Sequence, residues 1–169
     1  MMNIHPYPAY VNELGMKGGR KGNKKAKKKG VPVAYALGTS NSSVVVDGGL
    51  EYRSLLDAMY DTVLAVLDKA GYPDMPLIIG ETGWPTAGAV EATVGNACRY
   101  LNQVIARASG EEGTPRRPGQ RIEIYVFEAF DERLKPAGTI ELNWGVMTED
   151  GTEKYAVDWT DSGSFPICA

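Results

Sequence analysis

The segment Leu77-Ile78-Ile79 does most to limit what this chain can become. It follows Pro76, stops at Gly80 and holds no polar residue. A short apolar run between breakers reads as a strand buried on both faces. The flanking sequence supplies helices to cover such a strand. Tyr52 to Ala70 carries Leu55, Leu56, Met59, Val63, Val66, Leu67 and Ala70 at three- and four-residue spacing, with Arg53, Asp57, Asp61 and Asp68 mostly off that face. Gly71 offers the cap and Pro73 the stop. Glu91 to Ala108 repeats the pattern with Ala92, Val94, Ala97, Leu101, Val104, Ile105 and Ala108. Ile122 to Phe127 alternates as a second strand, and Ile4 to Tyr10 is a third that Pro6 and Pro8 weaken. Val31 to Val46 is mixed, and Asp47-Gly48-Gly49 marks a turn. Strand–helix–strand–helix–strand predicts an α/β fold with parallel strands and right-handed crossovers.

Length limits that fold. A closed (β/α)8 barrel takes about 250 residues, with about 200 at the low end, and this chain has 169. Apolar residues at 43% and charged residues at 23% exclude disorder throughout. No apolar run reaches the ~18 residues of a membrane span. The start, Met1-Met2-Asn3-Ile4-His5-Pro6, lacks the pattern of a signal peptide. The net charge of −3 hides a block: Lys17, Arg20, Lys21, Lys24, Lys25, Lys27, Lys28 and Lys29, with no acid among them. Residues 13–31 therefore read as a basic, disordered loop insertion. Clustered lysines could dock on an anionic partner, but no aromatic is interleaved for base stacking, and no nucleic acid is expected. Cys98 and Cys168 are too few for a disulfide framework or a four-cysteine metal site. They read as one buried small residue and one tail residue. His5, the sole histidine, cannot build a metal cluster and reads as a loop or packing residue.

In parallel α/β folds the reacting residues gather at the carboxyl ends of strands. Glu81 directly follows the apolar run, between Gly80 and the turn Thr82-Gly83-Trp84-Pro85. An indole there would partly desolvate the carboxylate and offer a flat apolar face, which suits the axial C–H face of a sugar. A turn glutamate capping backbone N–H groups is the plainer alternative. Phe127 to Pro136 forms a second cluster at a strand's end, and Glu132 and Lys135 could point into the same mouth as Glu81. A lysine near a carboxylate keeps it ionised. Arg133 reads as exposed loop charge, and Glu141 is ambiguous from position alone. No phosphate-binding glycine loop, nucleophile elbow or zinc motif occurs, and no cofactor or metal is expected.

These residues resemble the C-terminal part of the plant-type glycoside hydrolase family 17 enzymes, the endo-1,3-β-glucanases. Ile79-Gly80-Glu81-Thr82-Gly83-Trp84-Pro85-Thr86-Ala87-Gly88 matches the family's signature around its nucleophile. Asp47 to Met59, Gly113-Thr114-Pro115-Arg116-Arg117-Pro118-Gly119, and Tyr125 to Glu132 with Lys135-Pro136 follow in family order. The resemblance implies strands six to eight, with their helices, of an incomplete (β/α)8 barrel spanning 1–169. It implies retaining hydrolysis of 1,3-β-glucan, with Glu81 as nucleophile. Glu132, Lys135 and Glu141 would line the cleft, and Tyr7, Trp84 and Phe130 would meet the glucan. It also implies an extracellular or cell-wall setting. The family's acid/base glutamate lies in a Gly-Asn-Glu motif that this sequence lacks, and loss of the acid removes about 10²–10⁴-fold from leaving-group departure. The chain is thus expected to be a fragment, weakly active alone. His5 stands where the family usually has tyrosine and Pro8 where it has phenylalanine. Two other readings stay open: a non-catalytic glucan-binding remnant, and an anionic-partner protein acting through Lys17–Lys29.

Overall fold

A computed structural model describes residues 1–8, 30–136, 138–160 and 166–168. The lysine block from Lys17 to Lys29 lies outside the described residues. A three-stranded parallel sheet has the order β1 (Met2–Asn3), β4 (Ile79–Thr82), β5 (Ile124–Val126). Met2 pairs with Ile79 and Asn3 with Glu81 on one side, and Ile79 pairs with Ile124 and Thr82 with Val126 on the other. Of the apolar run only Ile79 lies in the central strand, which continues through Gly80 and Glu81 to Thr82, while Leu77 and Ile78 precede it partly buried. Between β1 and β4 come α1 (Val33–Leu37), a hairpin of β2 (Val45–Asp47) and β3 (Leu50–Tyr52), and α2 (Leu55–Lys69). Helix α3 (Val94–Ser109) joins β4 to β5, and a 3-10 turn follows at Thr139–Leu142.

Local chemistry sets the boundaries. Asp47 pairs with Leu50 across Gly48-Gly49, whose φ angles of 56° and 85° are those a two-residue hairpin turn needs. That hairpin claims Tyr52, so α2 begins three residues later than the periodicity predicts. At its far end Gly71 adopts φ 92°. Its N–H donates to Asp68 and the Tyr72 N–H donates to Leu67, a paired closure of the last turn. In α3, Thr93 caps the start by accepting from the Asn96 N–H at 3.1 Å.

The buried line of α2 runs through Leu56, Tyr60 and Leu64, while Val66 is exposed. Polar tips turn the helix this way. The Tyr60 hydroxyl donates to the Leu77 carbonyl, and Asp61 accepts from the Tyr52 hydroxyl and the Arg116 N–H. Helix α3 buries Ala97, Leu101 and Val104 as predicted and Tyr100 besides, but leaves Val94 exposed.

The reading of the cysteines is overturned. Cys98 on α3 and Cys168 form a disulfide across a sequence separation of 70. The tail is held to α3 by more than this bond, since the Arg99 guanidinium donates to the Cys168 carbonyl and Asn102 bridges Ala156 and Asp158. A spacing of 70 residues carries no local signal, so only the packing of the tail reveals the pair. Closing a loop of this length restricts the unfolded chain by an amount worth about 2–4 kcal/mol. Reduction is expected to lower Tm by about 5–15 °C, read by calorimetry with and without dithiothreitol. Superimposable melts would show that the bridge adds nothing.

Candidate active site

Glu81 is fixed by its strand. Its carbonyl accepts from the Ile4 N–H at 2.9 Å, and the Thr82 carbonyl accepts from the Phe127 N–H at 2.8 Å. The Thr82 hydroxyl is bonded to the Tyr100 hydroxyl of α3. Both edges of β4 are thus occupied where Glu81 leaves it. Gly83 then lets β5 come very close, because a Cβ there would lie 1.8 Å from the Phe127 carbonyl oxygen. The Glu81 side chain remains 44% exposed, at the carboxyl end of a parallel sheet, where α/β folds place chemistry.

A second group of charges gathers on an aromatic floor that also carries His5, the neighbour of Glu81. Lys135 Nζ lies 3.0 Å from Glu132, 3.9 Å from Glu141 and 5.2 Å from the centre of the Phe127 ring. Phe127 and Trp144 stack edge-to-face, and His5 packs on both. The His5 Nε2 lies 3.8 Å from Glu81 Oε2. The Phe127 ring therefore connects the two groups, with His5 and its neighbour Glu81 on one side and Lys135 with Glu132 and Glu141 on the other. The Glu132 bond holds Lys135 protonated more firmly than usual, and the same bond draws Glu132 below the usual carboxylate range. Arg133 pairs with Glu149 on the exposed surface.

The aromatic expectations divide. Phe130 is 48% exposed and available to a ligand. Tyr7 and Trp84 are corrected: they are 0% and 2% exposed, so neither offers a ring face to a sugar here. The Tyr7 hydroxyl donates to the Val90 carbonyl and the Trp84 indole donates to Glu91. Their rings meet edge-to-face at 5.2 Å. Both anchor the loop between β4 and α3 beneath the site.

Glu128 is a site residue that the pattern Phe127-Glu128-Ala129-Phe130 carried without marking. It lies just past β5, its carbonyl accepting from the Val146 N–H. Its Oε1 is buried without a hydrogen bond among the described residues. Burial, and then the adjoining Glu132 carboxylate, push its carboxyl up to about 7. The folded chain thus binds this proton more tightly than the unfolded one. Stability falls as pH rises from about 4.5 through about 7. The full shift corresponds to roughly 3 kcal/mol, but the partly solvated carboxyl warrants no more than about 1 kcal/mol. Glu128→Gln is expected to be more stable than the parent by about 1 kcal/mol at pH 8 and equal to it at pH 4. Urea unfolding at both pH values measures this, and an equal effect at both would refute it.

A cavity of about 650 Å³ lies elsewhere, among α2, α3 and the 112–118 loop. Its polar wall includes Asp57 and Arg107, which already bond each other at 2.9 Å, and none of Glu81, His5, Glu128, Phe130, Glu132, Lys135 and Glu141 lines it. The sheet-end cluster is the better candidate, since its carboxylates remain open to solvent. Among the described residues no group of three His, Cys, Asp or Glu is placed to hold a metal.

The family model for glycosyl hydrolases family 17 matches residues 1–159. The chain belongs to this family. The glucan endo-1,3-beta-glucosidase, basic vacuolar isoform GLB, of Nicotiana tabacum is 36% identical over 163 residues, covering 96% of this chain and 39% of the relative. A solved β-1,3-glucanase and allergen of Cryptomeria japonica pollen is similar with a TM-score of 0.80 at 35% identity, covering 95% of this chain and 46% of its own. A solved plant β-glucan endohydrolase is similar with a TM-score of 0.73 at 32% identity, over 92% of this chain and 45% of its own. The chain thus spans less than half the length of these relatives. The family 17 fold is a (β/α)8 barrel, and the parallel sheet with its crossover helices is part of one. Among the described residues β1 and β5 each have a strand neighbour on one side only.

Proposed function

We propose that this chain is the nucleophile-bearing part, strands six to eight with their helices, of a retaining 1,3-β-glucan endohydrolase. The observation that carries the reading is the placement of Glu81 at the carboxyl end of the central strand, half open to solvent beside the His5 ring, which packs on the same Phe127 that lies under Lys135. In the proposed reaction Glu81 attacks the anomeric carbon and forms a glycosyl ester. A second carboxyl about 5–5.5 Å away protonates the leaving oxygen and then activates water. No Gly-Asn-Glu motif occurs in these residues, so that acid belongs to the barrel portion the chain does not span. Lys135 neutralises Glu132 and Glu141, which keeps further negative charge from repelling Glu81. Phe130 offers the exposed ring for a glucosyl unit. The substrate is a linear 1,3-β-glucan, with no nucleic-acid partner and no cofactor assigned.

Location follows from chemistry. A disulfide persists in oxidising compartments, so the Cys98–Cys168 bond supports entry to the secretory pathway and an extracellular or vacuolar destination. No helix among the described residues is long and apolar enough to cross a membrane.

The test joins this chain to the N-terminal portion of the tobacco relative that it does not cover. Release of reducing ends from laminarin, with the β-anomer appearing first by proton NMR, is the expected result. A folded fusion without turnover would overturn the hydrolase reading, and one releasing the α-anomer would overturn the retaining mechanism and with it the nucleophile role of Glu81. Binding of laminari-oligosaccharides without turnover would instead favour a glucan-holding remnant.

A further inference from the structure

The imidazole of His5 has no task in the chemistry above, yet it is the side chain that meets Glu81. Ile4, the residue before it, bonds the Glu81 carbonyl, so the end of β1 delivers the ring beside the Glu81 carboxylate. The ring packs edge-to-face on Trp144 at 5.0 Å and Phe127 at 5.8 Å. Its Nδ1 is buried and makes no hydrogen bond among the described residues. Its Nε2 faces Glu81 Oε2 at 3.8 Å. The charged groups around the ring are Glu81 from β4 and Glu141 from the 3-10 turn, with Lys135 3.9 Å from Glu141.

A neutral imidazole carries one proton, and its surroundings choose the nitrogen. A lone pair on Nε2 would point at an anionic oxygen and be repelled, whereas an N–H there is attracted. An N–H on Nδ1 would be a buried donor without an acceptor, which is costly. Both arguments place the proton on Nε2. A second proton would meet the same obstacle at Nδ1. Burial accordingly pushes His5 below its ordinary value of 6.5, against the pull of Glu81 and Glu141.

We propose that His5 is the positioning residue of Glu81, its Nε2–H holding Oε2 so that Oε1 is presented to the anomeric carbon. This rests on Glu81 being the nucleophile. The terminal torsion of a glutamate is broad, so a strand that fixes Cα does not by itself aim the carboxylate. One tethered oxygen does. Hydrogen bonds of empty active sites are often long and tighten with substrate, and the 3.8 Å gap is of that kind. No proton leaves His5 during turnover. In acid the imidazolium would pair with Glu81 and lower its nucleophilicity.

His5 is the only histidine in the chain, so its ring nitrogens are read without ambiguity in long-range proton–nitrogen spectra of the full 169-residue chain. The expected result is the Nε2–H tautomer at pH 7.5, with a titration midpoint that drops by about half a unit or more in Glu81→Gln as the anionic partner disappears. The Nδ1–H tautomer, or a midpoint unmoved by Glu81→Gln, overturns the proposal. In the fusion with the tobacco N-terminal portion, His5→Phe keeps the edge packing and is expected to lower kcat about 10-fold at constant KM. His5→Gln, which restores a neutral donor, is expected to recover most of that loss. Equal kcat in His5→Phe and the parent fusion also overturns it. An inactive fusion defeats the hydrolase reading, while the spectra still decide whether His5 holds Glu81.

Discussion

Glu81→Gln, made in the fusion that supplies the missing barrel portion, is expected to lower kcat by about 10³-fold or more without weakening oligosaccharide binding. A glutamine amide keeps the volume and the contact with His5 but cannot form the glycosyl ester. The loss therefore falls on chemistry rather than on the fold. Glu81→Ala sharpens the test, because the space left by the carboxyl admits a small external nucleophile. Azide is expected to restore cleavage in Glu81→Ala and to give the α-glycosyl azide, since it attacks from the side the carboxylate occupied. Azide rescue in Glu132→Ala or Glu141→Ala, and none in Glu81→Ala, would move the nucleophile to the other side of the cleft. Full activity in Glu81→Gln would remove the hydrolytic role from this residue altogether. The experiment is chosen on Glu81 because β4 is bonded along both edges, so changing its solvent-facing tip leaves the backbone ladder intact.

Much of the architecture was legible in the chain. Leu77-Ile78-Ile79 has no polar face to show water, so a central strand was the economical solution, and the structure puts Ile79 there at 0% exposure. Gly48-Gly49 and Gly71 mark a turn and a helix end because both need positive φ. Positions decided by distant partners were less legible. Apolar spacing in α2 favours a stripe that includes Val66 and Ala70, but hydrogen bonds made by Tyr60 and Asp61 rotate the helix away from it. Spacing counts apolar atoms and is blind to such polar tips. The Cys98–Cys168 pair escaped for the same reason, since tertiary packing of the tail creates it.

The site shows a similar division. Glu81, Glu132 and Lys135 were visible because charges at the ends of apolar strands need a reason. His5 and Glu128 were not. A single histidine between Ile4 and Pro6 carries no pattern, and its meaning appears only when β1 lies beside β4. Glu128 lies within the Phe127–Pro136 cluster, but nothing in its spacing sets it apart from the other charges there. Trp84 and Tyr7 failed in the opposite direction. Aromatic rings near a candidate sugar site invite a stacking role, yet here their polar ends are tied to backbone carbonyls of residues 90 and 91 and their faces are covered. An aromatic residue's place in the chain says where its ring attaches, not which side of the sheet end it fills.

Lys154→Met is expected to destabilise the chain by about 3–5 kcal/mol, because it strands a buried carboxylate. The Asp131 and Lys154 side chains are 4% and 11% exposed, with Nζ 2.6 Å from Oδ1. The same Oδ1 accepts the Gly145 N–H at 2.9 Å. Around this pair the chain weaves a small ladder: the Asp131 N–H donates to Met147, Met147 to Ala129, Val146 to Glu128, and Lys154 to Val146. A Cβ on Gly145 would sit 2.2 Å from the Asp131 nitrogen, which shows how closely the strands of this ladder approach. Between its two sides hangs the loop that carries Glu132, Lys135 and Glu141. The buried pair thus fixes both ends of the loop that carries the lysine cluster. Methionine fills the volume of the lysine stem but leaves Asp131 with one partner fewer and no cation. Asp131→Leu with Lys154→Met removes both charges and is expected to recover part of the loss, since an apolar pair of similar volume replaces a buried ion pair at little or no net cost. Urea unfolding of Lys154→Met, of Asp131→Leu alone and of the double variant gives the coupling directly. A single-variant loss below about 1 kcal/mol would mean that water reaches Asp131 and that the ladder, not the ion pair, supports the loop. In the fusion, a folded Lys154→Met with unchanged activity would separate the stability of this ladder from the aim of the cluster it carries.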